Sequence, residues 1–243
     1  MYDDRETWIN SESEHFIYKY LRKSAAMKDI KQIKINREIA YKNISEFLGI
    51  KTEKKIIIYF VPDLKTAIEL KMMVDAAVPH LNFASLIYNE HPLCREKVSF
   101  GHEIAHLLVY YWDKQIYHLE ILEEGLAVYL DQSGSNKHLD FLNVINYCLG
   151  KVSVDLTFDV EQKSKSVNYA KAGSIVKFFI EAYGIKKFKQ LYRASLIDRN
   201  GQFFMYKNEP LPSNHLKNLI IKNYEKDAID IQQEWLDILG LKI

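Results

Sequence analysis

The sequence predicts an α+β fold: a small mixed sheet at the front, followed by a mainly helical lobe. Two observations predict it. Strand-like runs, alternating or wholly apolar, all end before residue 90, and later apolar residues recur at helical spacing.

Ser13-Glu14-His15-Phe16-Ile17-Tyr18-Lys19-Tyr20 alternates as a half-buried strand does. Lys28 to Leu48 has helical spacing, with Ile30, Ile33, Ile39, Ile44 and Leu48 as the expected buried face and Gly49 as the stop. Lys54 to Val61 is a second strand, closed by Pro62-Asp63, and Leu64 to Ala77 is expected as a helix ending before Pro79. The stretch from His80 to Phe83 fits neither pattern, and Leu86 to Asn89 is the third expected strand. Helices are then expected over Cys94 to Trp112, from Leu122 to an end at Gly134, over His138 to Leu149 and from Asn168 to Tyr183. Two more are expected over Lys186 to Ala194 and Glu225 to Leu239, the last burying Ile231, Trp235, Ile238 and Leu239 before a Gly240 cap. The polar segments Lys151 to Ser166 and Asp198 to Asn214 are expected to be irregular.

No Pro/Gly/Ser-rich linker or repeat divides the 243 residues, so one domain is expected, with lobes over 1–113 and 114–243. The net charge of +1, with acids and bases well mixed, gives no footprint for nucleic acid or an anionic membrane. No apolar run approaches the 18 or more residues of a membrane-spanning helix. The two cysteines, Cys94 and Cys148, make no disulfide framework, and the polar start is unlike a signal peptide, so a cytoplasmic location is expected.

The chemistry is concentrated in His102-Glu103-Ile104-Ala105-His106. Positions i and i+4 of a helix lie one above the other, so His102 and His106 can bind one ion from the same side. Glu103 points about 100° away, where it can reach a water on that ion without competing as a ligand. Val98, Ile104, Ala105, Leu108 and Val109 supply an apolar stripe around the pair. A hydrolytic zinc site takes three protein ligands and leaves one position for water. The third is sought in Leu122-Glu123-Glu124-Gly125-Leu126-Ala127-Val128-Tyr129-Leu130, where carboxylates open an apolar helix. Acidic residues suit a helix's first turn, which explains Glu120 and Glu123 but not a Glu-Gly pair inside an apolar run.

This combination resembles the gluzincin zinc metallopeptidases, and more particularly the peptidase-MA-like bacterial proteins. The resemblance implies a zincin-like metallopeptidase fold with the zinc site between sheet and helical lobe. It makes Glu124, directly before the Gly, the third ligand, with Glu123 as a neighbour. Asn168-Tyr169-Ala170-Lys171-Ala172-Gly173 is similar to a Tyr-x-x-x-Gly helix of that group, and the match makes Tyr169 the donor to the oxyanion of the tetrahedral intermediate, with His118 or Tyr117 as substitutes. The implied activity is hydrolysis of peptide bonds by water activated on Zn2+, with Glu103 as general base and a peptide or protein as substrate. The third strand is implied to be a sheet edge to which substrate backbone adds.

Two departures shape that expectation. No Gly-x-Met-Glu-Asn segment precedes His102, which favours an endopeptidase over an aminopeptidase. The position four residues after Glu124, an Asp in some gluzincins that steadies a zinc histidine, is Val128, leaving Asp131 and Glu120 as candidates for that work. Competing readings are a zincin-fold scaffold or sensor, a metallohydrolase of a non-peptide amide or ester, and a helical protein in which the motif is coincidental. For His15, His80, His91, His118, His138 and His215 an ordinary structural role is expected.

Overall fold

The structure is a computed structural model describing residues 8–73, 76–91, 101–113, 118–131, 137–148, 165–195 and 215–241. Its chain divides into two compact units. The first comprises Met1–Lys114 with Leu130–Gly134, the second Gln115–Tyr129 with Ser135–Ile243.

The first unit is built on a five-stranded sheet. β1 (Trp8–Glu12), β2 (Phe16–Leu21), β3 (Ile56–Val61), β4 (Ala76–Val78) and β5 (Phe83–Ile87) are arranged in the order β1-β2-β3-β5-β4. The outer pairs are antiparallel and the two inner pairs, β2 with β3 and β3 with β5, are parallel, which makes the sheet mixed. Registers Tyr18↔Ile58↔Ala84 and Tyr20↔Phe60↔Leu86 stack large buried side chains on one face. The opposite face is half-open and lined by aromatics. There Trp8 meets Tyr59 edge-on at 5.5 Å, and Lys19 Nζ stands 5.1 Å over the same ring.

α1 (Ala25–Leu48) crosses between β2 and β3, as a parallel pair requires. Ser24 caps its start by accepting from the Met27 amide, and Gly49, at φ 70°, turns the chain out of it. Its buried stripe is Ile33, Arg37, Ala40, Tyr41, Ile44 and Leu48. Ile39, expected inside, is 51% exposed. The 3.6-residue period passes through Arg37 and Tyr41 instead, and a guanidinium takes the place an aliphatic chain was expected to hold.

Three strand expectations need correction. Trp8–Glu12 was not read as a strand; it pairs antiparallel with β2 over its whole length. The helix expected over Leu64 to Ala77 stops at Glu69 as α2 (Leu64–Glu69), capped by Asp63, and Ala76–Val78 is strand. Pairing with β5 overrides the helical preference of the two alanines. Consequently β5, whose observed span is Phe83–Ile87, is an interior strand, and the sheet edge belongs to β4. A single 3₁₀ turn, Pro79–Leu81, links them. The unit's last helix, α3 (His102–Asp113), packs on α1 and near β4 and β5. The expected first turns of that helix, with Cys94 and Val98, lie outside the described residues.

The second unit is helical among its described residues: α4 (Glu120–Leu130, which ends in the first unit), α5 (Lys137–Cys148), α6 (Lys165–Tyr183), α7 (Ile185–Ala194), α8 (His215–Tyr224) and α9 (Ala228–Ile238). α8 had no sequence expectation. Tyr224 packs it against Phe179 and Tyr183 of α6, at ring-centroid distances of 5.2 and 4.7 Å. Trp235 is wholly buried and stacks on Phe141 of α5. Ile238, expected inside, is 56% exposed at the end of α9, and Leu236 is buried in the same unit's core. The segments expected to be irregular, Lys151 to Ser166 and Asp198 to Asn214, fall largely outside the described residues, although α6 already begins at Lys165. Among the described residues no helix is long and apolar enough to cross a membrane. The fold is α+β, with a small mixed sheet and a mainly helical remainder.

Candidate metal centre

α3 opens at His102, so both histidines of the motif lie in its first turns. The helix is held by Ile104, Ala105, Leu107 and Leu108 on its inner side, each at 0% exposure. Burying four such side chains contributes several kcal/mol, on the order of 1.5–3 for each large one. That anchors the face carrying the imidazoles, which stay half-buried.

His102 Nε2 and His106 Nε2 converge to 3.2 Å, with their rings at 82°. Two nitrogens bound at about 2.0–2.1 Å to one tetrahedral ion stand about 3.3 Å apart, so the pair fits two ligands of a single zinc. Glu103, one residue on, is 8% exposed. A carboxylate is rarely so buried without cationic company.

Arg37 of α1, which is fully enclosed, acts electrostatically on it. Burial pulls the Arg37 pKa down to about 10, against the opposing pull of Tyr18, Asp131, Glu103 and Tyr88, so it is charged at neutral pH. Asp131, in turn, accepts a hydrogen bond at Oδ1 from the Gly101 amide at 3.2 Å, immediately ahead of His102. Asp131 was a sequence candidate for steadying a zinc histidine; its Oδ1 is bound at the start of the histidines' helix. Arg37 was not singled out from the sequence at all, although its position on the α1 stripe was a usable signal.

Glu124 lies in the second unit, just past the first turn of α4, and both it and Glu123 are half-buried. Exposure therefore does not separate the two carboxylates. The residue after them is decided by packing. A Cβ on Gly125 would come 2.6 Å from the Ala172 carbonyl oxygen and from Val176 Cγ2, so only glycine lets α4 approach α6 here. The Glu-Gly pair thus has a packing reason within its own unit.

Tyr169 lies on α6 and is 37% exposed. Of its proposed substitutes, Tyr117 lies outside the described residues. His118 is buried, with Nδ1 2.9 Å from the Tyr192 carbonyl oxygen and its ring over that of Tyr192 at 4.0 Å. A carbonyl can only accept, so Nδ1 carries the proton and is spent tying the start of α4 to the end of α7.

One further cluster has metal-like composition. His15 Nδ1 lies 2.6 Å from Glu38 Oε2, its backbone amide donates to Glu38 Oε1 at 2.9 Å, and Glu14 is 3.8 Å from Nε2. These bonds hold the Glu38 carboxyl below its usual pKa despite partial burial, and His15 stacks on Tyr41 at 3.8 Å. It is a hydrogen-bonded pair that clamps the β2 entry onto α1.

No protein-family model matches the chain, and no curated protein matches it. Among solved structures it is similar to a two-domain M1 zinc metallopeptidase bound to L-arginine, at 11% identity and a TM-score of 0.53 over 97% of this chain and 52% of that one. It is similar also to an M1 zinc metallopeptidase from Deinococcus radiodurans, at 13% identity and a TM-score of 0.53 over 97% and 52% of the two chains. The chain spans about half the length of these proteins. At such identities the likeness establishes the fold alone, and that fold is zincin-like.

Proposed function

We propose that this chain is a zinc-dependent metallopeptidase of gluzincin type. The carrying observation is the convergence of His102 Nε2 and His106 Nε2 at the spacing of two ligands on one zinc. In this reading Glu124 completes the ligand set, and residues 1–243 form one catalytic domain. Two imidazoles and a carboxylate favour zinc over harder divalent ions, which prefer all-oxygen surroundings.

Bound there, zinc would polarise the scissile carbonyl and lower the pKa of water towards neutrality. Glu103 takes the proton of the attacking water and hands it to the departing amine. Its near-complete burial suits that task, because a carboxylate screened from solvent keeps the proton for the leaving group. Tyr169 donates from its phenol to the carbonyl oxygen as negative charge develops there. The substrate is a peptide or protein, and cleavage within a chain is favoured because no Gly-x-Met-Glu-Asn segment precedes His102 to grip a free amine. At the sheet's outer edge, strand addition by substrate backbone would use β4.

Elemental analysis of the purified chain, without added metal, tests the reading. About one zinc per chain is expected. A protein that stays free of zinc even after dialysis against it overturns the reading, since both histidines would then be structural.

A further inference from the structure

Charge in the second unit is sorted by helix. α7 carries four cations, Lys186, Lys187, Lys189 and Arg193, and no acid. α9 carries three acids, Asp230, Glu234 and Asp237, and no base. The near-neutral total of +1 hides this separation.

Both helices are anchored by apolar faces, Phe188, Leu191 and Tyr192 on α7 and Ile231, Trp235 and Leu236 on α9. At about 100° per residue, the opposite face of α7 presents Lys186, Lys189, Gln190 and Arg193 in one narrow arc. The opposite face of α9 presents Asp230, Gln233, Glu234 and Asp237 in an arc of the same width. All eight are exposed except Lys189 and Glu234, which are half-buried. Burial, and next the charge of Arg193, lowers the Lys189 pKa, a mark of cations crowded on one face.

Two of these charges oppose the dipole of their own helix. Lys186 is the second residue of α7, at its positive end, and Asp237 is the last but one of α9, at its negative end. Within the chain, Glu234 is paired with Lys226 Nζ at 2.7 Å, whereas Asp237 Oδ1 accepts from a neutral donor, Gln233 Nε2, at 2.8 Å.

We propose that α7 of one copy of this chain docks antiparallel on α9 of a second copy, setting Lys186 against Asp237 and Arg193 against Asp230. The spacing fits, because Lys186 and Arg193 are seven residues apart, as are Asp230 and Asp237, about 10.5 Å along either axis. Antiparallel alignment lays the positive end of α7 on the negative end of α9. Lys186 and Asp237 then each meet an opposite charge and an opposite dipole end. A second copy is the partner that supplies both stripes, and a two-fold axis repeats the contact, α7 on α9 and α9 on α7. α8 packs on both helices, which holds the stripes at a fixed separation. Ile238, 56% exposed beside Asp237, gains cover in the same contact. No residue of the metal centre takes part, so this association stands or falls apart from the metallopeptidase reading.

Sedimentation equilibrium of the full chain tests it. In dilute salt, monomer should pass to dimer between about 1 and about 100 μM, since exposed ion pairs give weak association. Raising NaCl to about 0.5 M should weaken dimerisation at least about tenfold by screening. Lys186→Glu and Asp237→Lys each suit their own helix dipole, so both variants should fold with a Tm at least that of the wild type and yet stay monomeric. Mixed in equal amounts, the two variants should dimerise again, because the mixed pair sets Glu against Lys at one contact and Lys against Asp at the other. A wild type that is monomeric throughout overturns the proposal, as do single variants that dimerise like the wild type or a mixture that stays monomeric. A monomeric wild type that sediments with phosphatidylglycerol vesicles would give the α7 stripe to a membrane and overturn it equally.

Discussion

Val128 fills the space above Gly173: a Cβ on Gly173 would come 2.5 Å from Val128 Cγ1 and 3.2 Å from Val128 Cβ. Val128 therefore seats α4 on α6. With Gly125 against Ala172, the two helices exchange glycine-filled contacts from both sides.

Gly173→Ala is expected to destabilise the protein by about 1–3 kcal/mol, the usual cost of overpacking a filled core. Val128→Ala in the same chain should return part of that loss, because the nearest offending atom, Cγ1, is removed. A double-mutant cycle from urea denaturation measures the coupling. Strict additivity would show that the contact does not constrain the pair. Gly125→Ala, whose new methyl meets the Ala172 backbone oxygen as well as Val176 Cγ2, should be rescued less by truncating its side-chain neighbour, because the backbone clash remains.

Glu103→Gln should retain about one zinc per chain and lose hydrolysis of labelled casein by roughly 10²–10⁴-fold, the contribution of a general base. A scaffold or sensor of the same fold would lose no activity and no binding. Residual hydrolysis at the wild-type rate would remove Glu103 from the chemistry.

The ligand register is tested by a matched pair. Glu124→Gln should lower zinc affinity sharply, while Glu123→Gln, one position away and equally half-buried, should leave it near the wild-type value. The opposite ranking would transfer the third-ligand role to Glu123.

Zinc should also raise thermal stability in proportion to its affinity, by about 2.7 kcal/mol when free zinc is 100 times its Kd. Differential scanning calorimetry with zinc and with chelator checks this. His106→Ala should abolish the difference, since a single histidine cannot hold the ion with comparable strength.

His138 should make stability depend on mild acid. Its Nδ1 lies 2.8 Å from Ser174 Oγ, which also accepts from the Trp235 indole N–H at 3.0 Å. Trp235 can only donate, leaving the serine proton free to go to a neutral imidazole. Burial, aided by Lys177 and opposed by Glu181, lowers the folded-state pKa of His138. The unfolded chain therefore takes up this proton first as pH falls through about 6.5. The contribution is complete above that value and is lost as pH drops through the lower folded-state pKa. Urea midpoints should fall less between pH 7.5 and pH 5 in His138→Gln than in the wild type.

The sequence by itself determined the α+β class, the long first helix with its Gly49 stop, the two parallel-paired inner strands β2 and β3 in outline, and His102, Glu103 and His106 on one helix. These features depend on local periodicity and on caps, which are written within a few residues of where they act. Tertiary structure decided the rest. The alanines of β4 became an edge strand because β5 offered unpaired backbone, and Trp8 joined the sheet because Tyr59 and β2 were there to receive it. Arg37 is fully enclosed, and acidic groups 66 and 94 residues further along the chain, Glu103 and Asp131, act on its charge. No local pattern encodes such a pairing, because the energy that justifies burying a charge comes from partners that only the folded chain brings near.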